Sequence, residues 1–247
     1  MNITGNTILI TGGGSGIGRA LAEALHVKGN SVIIAGRRER VLDDVTQANP
    51  GMESMVLDIQ DKADIAAFAR EAVTRFPALN VVVNNAGIMR PETQIDLAIA
   101  EETIATNLLG PIRLTAALLP HLLAQPRATV VTVSSGLAFV PLAATPTYSA
   151  TKAAIHSWSM ALRHQLKDTS VEVVEIAPPY VQTELLGPQQ ATDPDAMPLA
   201  DFTAEEMALL EAAPADSEII VERCKPLRFA AESGNFAGVF AMVNSRH

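Results

Sequence analysis

The sequence predicts one α/β domain over residues 1–247, built on a doubly wound parallel sheet with helices on both faces. Two observations predict it. Short runs rich in β-branched residues alternate with segments whose apolar residues recur three and four positions apart. No Pro/Gly/Ser-rich or highly charged stretch interrupts the chain before residue 187, so nothing divides it into separate domains. Strand-helix alternation requires right-handed crossovers, and these cover both faces of a parallel sheet.

Six strands are expected at 7–11, 31–35, 54–57, 79–83, 128–133 and 171–177, with a short seventh at 218–221. Helical periodicity covers 16–27, 61–76, 101–124 and 155–166, and another helix is expected from Thr203. Between 187 and 201 the prolines Pro188, Pro194 and Pro198 oppose a helix, so this stretch reads as a long loop. Loops of that length commonly act as lids, and 184–205 is the expected substrate lid. Residues 225–243 read as helical.

With 27 acidic and 18 basic side chains, the formal charge of -9 opposes nucleic acid and anionic lipid. A small-molecule partner fits better. The one cysteine, Cys224, can form no internal disulfide, and the longest apolar runs are too short to span a bilayer. A reducing cytoplasm is the expected location.

Directly after the first strand comes Thr11-Gly12-Gly13-Gly14-Ser15-Gly16-Ile17-Gly18, leading into a helix. A strand, a glycine-rich turn and a helix N-terminus present backbone N–H groups to an anion and admit close approach of a pyrophosphate. By itself the segment could also be a tight turn without ligand. At the end of the second strand, Gly36 stands where NAD-selective sites place Asp or Glu, and Arg37, Arg38 and Arg40 follow. A small residue leaves room for a 2′-phosphate, and a guanidinium binds its oxygens with charge-assisted hydrogen bonds. NADP is therefore expected, with NAD as the second candidate. Arg37 leads and Arg38 is next, while Arg40 belongs to the following helix.

Tyr148 and Lys152 lie four residues apart at a helix start and so share a face, where the ammonium would favour the phenolate. Ser134 and Ser135 end the fifth strand, at the carboxyl edge where parallel sheets bind ligands. Local chemistry does not choose between the two. Asn107 precedes Pro111 by four residues, and that proline lacks the N–H that would bond to the Asn107 carbonyl, so a kink is expected.

Together these segments resemble the short-chain dehydrogenase/reductase family. The turn has its T-G-x-x-x-G-x-G spacing, Asn84-Asn85-Ala86-Gly87 matches its N-N-A-G, and Tyr148 to Lys152 matches its Y-x-x-x-K. The resemblance covers residues 5 to about 185 and, through 135–139, 162–166 and 177–179, extends to the DltE-like subgroup. It implies a Rossmann-type fold with strand order 3-2-1-4-5-6-7 and a catalytic set of Asn107, Ser135, Tyr148 and Lys152. The family's serine-to-tyrosine spacing selects Ser135, leaving Ser134 to cap backbone groups. The asparagine's backbone carbonyl would hold a relay water.

For the cofactor, the resemblance implies Gly12, Ser15, Gly16, Ile17, Gly18, Asp58, Ile59, Asn85, Ala86 and Gly87, together with Tyr148, Lys152, Val181 and Thr183. Asp58 reads equally well as a turn residue closing the third strand. Pro179 replaces the usual glycine in Pro178-Pro179-Tyr180-Val181-Gln182-Thr183, and the C-terminus departs from the common family ending.

The implied activity is reversible hydride transfer between NADP(H) and a carbonyl or alcohol substrate. The alternative is a sensor that binds NADPH without turnover. Leu137, Phe139, Pro141, Tyr180 and Leu185 suggest an apolar pocket, and no metal-ligand cluster is visible near His156 or His164. A homodimer or homotetramer is expected through the helices carrying Leu114, Leu118, Leu122, Ile155, Trp158 and Leu162.

Overall fold

The computed structural model describes residues 2–212 and 218–245. Its strands are β1 (Thr7–Thr11), β2 (Ser31–Gly36), β3 (Glu53–Val56), β4 (Leu79–Asn84), β5 (Ala128–Val133), β6 (Val171–Ile176) and β7 (Glu218–Ile219). They form one sheet in the order β3-β2-β1-β4-β5-β6-β7, and every pairing is parallel. The chain therefore leaves β1 towards one edge and returns to β4 on its other side. That reversal opens a crevice at the carboxyl ends of β1 and β4.

The helices are α1 (Gly16–Val27), α2 (Glu39–Ala48), α3 (Lys62–Arg75), α4 (Leu97–Ile104), α5 (Gly110–Leu123), α6 (Pro146–Leu166), α7 (Leu199–Ala212), α8 (Lys225–Arg228) and α9 (Phe236–Asn244). Strand side chains alternate between two cores. Ile8 and Ile10 pack with Leu21, Leu25 and Phe202 from α1 and α7. Leu9, Val82 and Val130 face the other way, against Phe68, Leu118 and Leu162 from α3, α5 and α6. Period-two alternation with both faces apolar is what a doubly covered sheet requires.

Leu114, Leu118, Leu122 and Leu162 are buried within this second core, Trp158 packs against it, and Ile155 is buried as well. The five buried side chains are covered within the chain itself, so an oligomer through these helices would use other residues. The large exposed apolar side chains of these helices are Leu123 and Met160.

Several boundaries differ from the sequence expectation. β3 starts and ends one residue earlier, and β7 is shorter than expected. α7 begins at Leu199, inside the stretch expected as loop, and Pro188–Thr192 forms a 3-10 turn with proline in its first turn. Proline is tolerated there because first-turn N–H groups have no helical partner. Residues 225–243 are broken into α8 and α9, with Gly234 at φ +71° between them.

The expected kink near Pro111 takes the form of a π-turn over Ala105–Leu109, in which the Gly110 N–H reaches back to the Ala105 carbonyl. A Cβ on Gly110 would lie 2.6 Å from Ile59 Cγ1 and 2.8 Å from the Ile59 oxygen. Glycine lets the helix start press directly on the loop after β3.

Candidate active site

β1 and β4 end side by side, and a hydroxyl joins them. Thr11 Oγ1 donates to the Val83 carbonyl at 3.2 Å and accepts from the N–H groups of Asn85 and Ala86, both at 3.1 Å. Asn85 returns the contact by donating Nδ2 to the Thr11 carbonyl at 2.9 Å. Gly12 has φ +68°, and a Cβ there would sit 2.9 Å from Asn85 Nδ2. The turn can hold this close approach only with glycine. Ser15, the N-cap of α1, is exposed and makes no side-chain cap hydrogen bond, and the first turn of α1 carries no acid. The helix N-terminus thus offers an anion its N–H groups without a competing carboxylate.

At the next strand, Gly36 closes β2 and the side chains of Arg37 and Arg38 are exposed, making no hydrogen bond or ion pair among the described residues. Arg37 and Arg38 line the same cavity as the glycine-rich turn, whereas Arg40 does not. These donors fit a phosphorylated dinucleotide: a cradle that a Cβ would fill, an uncommitted hydroxyl, and two guanidinium groups free of internal partners.

The opposite end of the cavity is built by β5 and α6. Ser134 donates Oγ to the Ile176 carbonyl at 3.3 Å, so its hydroxyl is engaged by β6. Ser135 instead accepts from the Leu137 N–H at 3.1 Å and hydrogen-bonds the Tyr148 side chain. Pro146 opens α6, which puts Tyr148 and Lys152 one turn apart, with Lys152 Nζ 5.5 Å from the centre of the Tyr148 ring. Burial pushes the Tyr148 phenol up to about 12, and the Ser135 hydrogen bond opposes this. The expected lowering by Lys152 is therefore not the dominant effect. Burial also pulls Lys152 down to about 8, against the field of Glu175.

Asn107 sits in the π-turn, buried. Its side chain accepts from the Ile88 N–H at 2.9 Å and donates to the Ile88 carbonyl at 2.8 Å. It also donates to Thr151 Oγ1 at 3.3 Å, joining the loop after β4 to α6.

One cavity of about 1070 Å³ gathers Gly12, Ser15, Gly16, Ile17, Gly18, Arg37, Arg38, Ile59, Asn85, Ala86 and Gly87 with Ser135, Tyr148, Lys152, Val181 and Thr183. Asp58 and Asn107 do not line it. Asp58 Oδ1 accepts from the Gln60 N–H at 3.0 Å, which is the geometry of a turn residue. Leu137, Tyr180 and Leu185 line the cavity as expected, but Phe139 and Pro141 do not. Phe139 packs edge-on against His156 with 4.7 Å between ring centres.

Several residues of the site were not legible in the sequence. Gln190 is buried in the expected loop, where Nε2 donates to the Val181 carbonyl at 2.7 Å and to Thr183 Oγ1 at 3.1 Å. Its Oε1 accepts from the Leu186 N–H at 2.8 Å, so one amide fixes the whole turn after β6. Met197 adds a backbone bridge to Val181. Nothing local marks Gln190, and only its position opposite two backbone groups and the Thr183 hydroxyl reveals it. Topology also brings together His156, Glu175 and Glu218, whose ligand atoms lie within 4.8 Å of one another. No such cluster is visible in the sequence because its members stand on α6, β6 and β7. Arg228 pairs with Glu218 at 2.6 Å and supplies its countercharge.

Comparison with known proteins agrees with this architecture. The family model for short chain dehydrogenase matches residues 6–194. The uncharacterized oxidoreductase DltE of Bacillus subtilis is 41% identical over 253 residues, covering 100% of this chain and 99% of that protein. A crystal structure of a short-chain dehydrogenase from Streptomyces avermitilis superposes with a TM-score of 0.80 at 27% identity, covering 98% of each chain. The closed form of a serine dehydrogenase complexed with NADP+ gives a TM-score of 0.76 at 26% identity, over 86% of this chain and 91% of that one. With the family model spanning the glycine-rich turn, the Asn84 to Gly87 segment and the Tyr148 to Lys152 pair, the chain belongs to the short-chain dehydrogenase/reductase family and resembles its DltE-like members.

Proposed function

We propose that this protein is an NADP-preferring oxidoreductase that transfers a hydride between NADP(H) and a carbonyl or secondary alcohol, with Tyr148 as the general acid and base. One observation carries the reading: a phosphate-binding turn with two unpaired arginines and a buried Ser135–Tyr148–Lys152 set line the same cavity. The relative complexed with NADP+ supports the cofactor assignment.

The bound nicotinamide would supply or accept the hydride. Ser135, whose oxygen already accepts from Leu137, directs its own proton to the substrate oxygen and holds it near Tyr148. Tyr148, buried and protonated at neutral pH, gives its proton to that oxygen during reduction and takes it back during oxidation. Lys152 positions the ribose and sets the charge beside the phenol. Asn107 fixes the loop that follows Gly87 and offers its backbone carbonyl, opposite the imino-acid nitrogen of Pro111, to a relay water.

Asp58 and Ile59 are assigned to the adenine end; Ile59 lines the cavity and Asp58 precedes it in the chain. Residues 184–205 close the substrate side as a lid. The subunits associate as a homodimer or homotetramer through the outer faces of α5 and α6, which sedimentation at micromolar concentration tests. The function is tested by following NADPH loss with a panel of ketones and aldehydes. Turnover supports the reading, whereas tight NADPH binding without turnover of any carbonyl would make the protein a nucleotide sensor.

A further inference from the structure

The two ends of the cavity differ in chemistry. Beyond Ser135, Met89, Leu142 and the Tyr148 ring form a buried apolar cluster, with Leu137, Leu186 and Val243 packed against it. All of these side chains line the cavity. Among the described residues, its basic lining residues are Arg19, Arg37, Arg38 and Lys152. The three arginines belong to α1 and the end of β2, and Lys152 Nζ is bonded to the Val133 carbonyl at 2.8 Å. The acids Glu184, Asp193 and Asp195 lie in the segment after β6. Of the cations, Lys152 stands against the apolar cluster, 5.5 Å from the centre of the Tyr148 ring, but it is committed to Val133. Among the described residues a carboxylate on the substrate would therefore meet no uncommitted lining cation there, and acids would face it at the rim. It would lose its hydration uncompensated.

One wall of this apolar end comes from α9. Val239 is buried against Val140 and Ala230, and Val243, one turn later on the same face, reaches the cavity. Asn244 fastens the helix in place: Oδ1 accepts from the Ala143 N–H at 2.6 Å and Nδ2 donates to the Pro141 carbonyl at 3.2 Å. Both partners flank Leu142. The loop that carries one wall and the helix that carries the other are thus held by a single side chain.

We propose that the substrate is an uncharged carbonyl compound or alcohol with a bulky apolar body, and that α9, seated by Asn244, is the element that selects it through Val243. This rests on the hydride-transfer reading above, and it separates the protein from a dehydrogenase of small hydroxy acids or amino acids. Asn244 acts as a positioning residue, and Val243 forms part of the pocket.

The test has a binding arm and a turnover arm. Calorimetry on the wild-type protein with saturating NADP+ compares an unreactive medium-chain amide with the carboxylate of the same length; the amide is expected to bind at least roughly tenfold tighter, as an apolar site that cannot pair a charge requires. In steady-state reduction, kcat/KM should rise with ketone chain length. Val243→Lys should lower it for the longer ketones by roughly tenfold or more with KM for NADPH unchanged. Asn244→Ala should raise KM for the ketone while kcat changes little.

Binding of the carboxylate as tightly as the amide, or unchanged ketone kinetics in Val243→Lys, would overturn the proposal. Preferential amide binding with no turnover of any carbonyl would uphold the apolar site and instead defeat the hydride-transfer reading.

Discussion

Lys152 donates Nζ to the backbone carbonyl of Val133 at 2.8 Å, which fastens the ammonium on α6 to the last residue of β5. The bond fixes the charge two residues before Ser135 in the chain. Burial pulls Lys152 down to about 8, so its charge is present below that pH and lost above it. The expected consequence is a fall in kcat/KM for NADPH as pH rises through about 8, since that parameter reports ionisations of the free enzyme. Lys152→Arg should remove this limb because a guanidinium stays charged. A limb that persists unchanged in the variant would assign it to another group.

Tyr148→Phe removes only the hydroxyl that Ser135 contacts. Turnover should drop by roughly 10²-fold or more, the usual contribution of a general acid, while NADPH affinity stays close to wild type. Near-normal single-turnover rates in the purified variant would exclude Tyr148 as the proton donor.

Arg37 has no partner among the described residues, so its loss should disturb little besides a ligand. Charge-assisted contacts of ~1.5–3 kcal/mol correspond to roughly tenfold to a hundredfold in affinity. Arg37→Ala is expected to weaken NADPH by that amount and NADH far less. Titration of both cofactors into wild type and variant checks it, and equal losses would defeat the 2′-phosphate assignment.

Gln190→Ala should free the turn after β6 by cutting its bonds to Val181, Thr183 and Leu186. Amide exchange over the lid is expected to accelerate while the core strands keep their protection. Uniform exchange across lid and core would contradict a separately held lid.

Glu206 on α7 is fully buried, and neither carboxylate oxygen has a hydrogen-bond partner among the described residues. Burial raises it from 4.5 to about 8. A carboxyl raised in the folded state contributes fully below its unfolded value, and that contribution is lost as pH climbs through the folded one. At pH 7 the linkage amounts to roughly 3 kcal/mol against folding. Glu206→Gln should therefore gain stability over wild type at pH 8 to 9 and lose much of that advantage near pH 5, as read by urea unfolding. An advantage independent of pH would contradict the buried, proton-binding carboxyl.

By itself the sequence determined what short spacings can encode. Alternating runs defined the strands and helices, the family resemblance implied their order in the sheet, and contiguous motifs marked the glycine-rich turn, Asn85 to Gly87, Ser135, Tyr148 and Lys152, which share one cavity. Such features are legible because backbone geometry ties residues a few positions apart to one turn or one helix face. Tertiary structure alone decided the rest. It engaged Ser134 with Ile176 and turned Leu114 and Leu118 towards the sheet. It also built the apolar end from Met89, Leu142, Leu186 and Val243, which stand on four separate segments. None of these carries a local signal, because a cavity wall depends on which surfaces the crossovers bring together, and burial sets the titration of Tyr148, Lys152 and Glu206 only after they do.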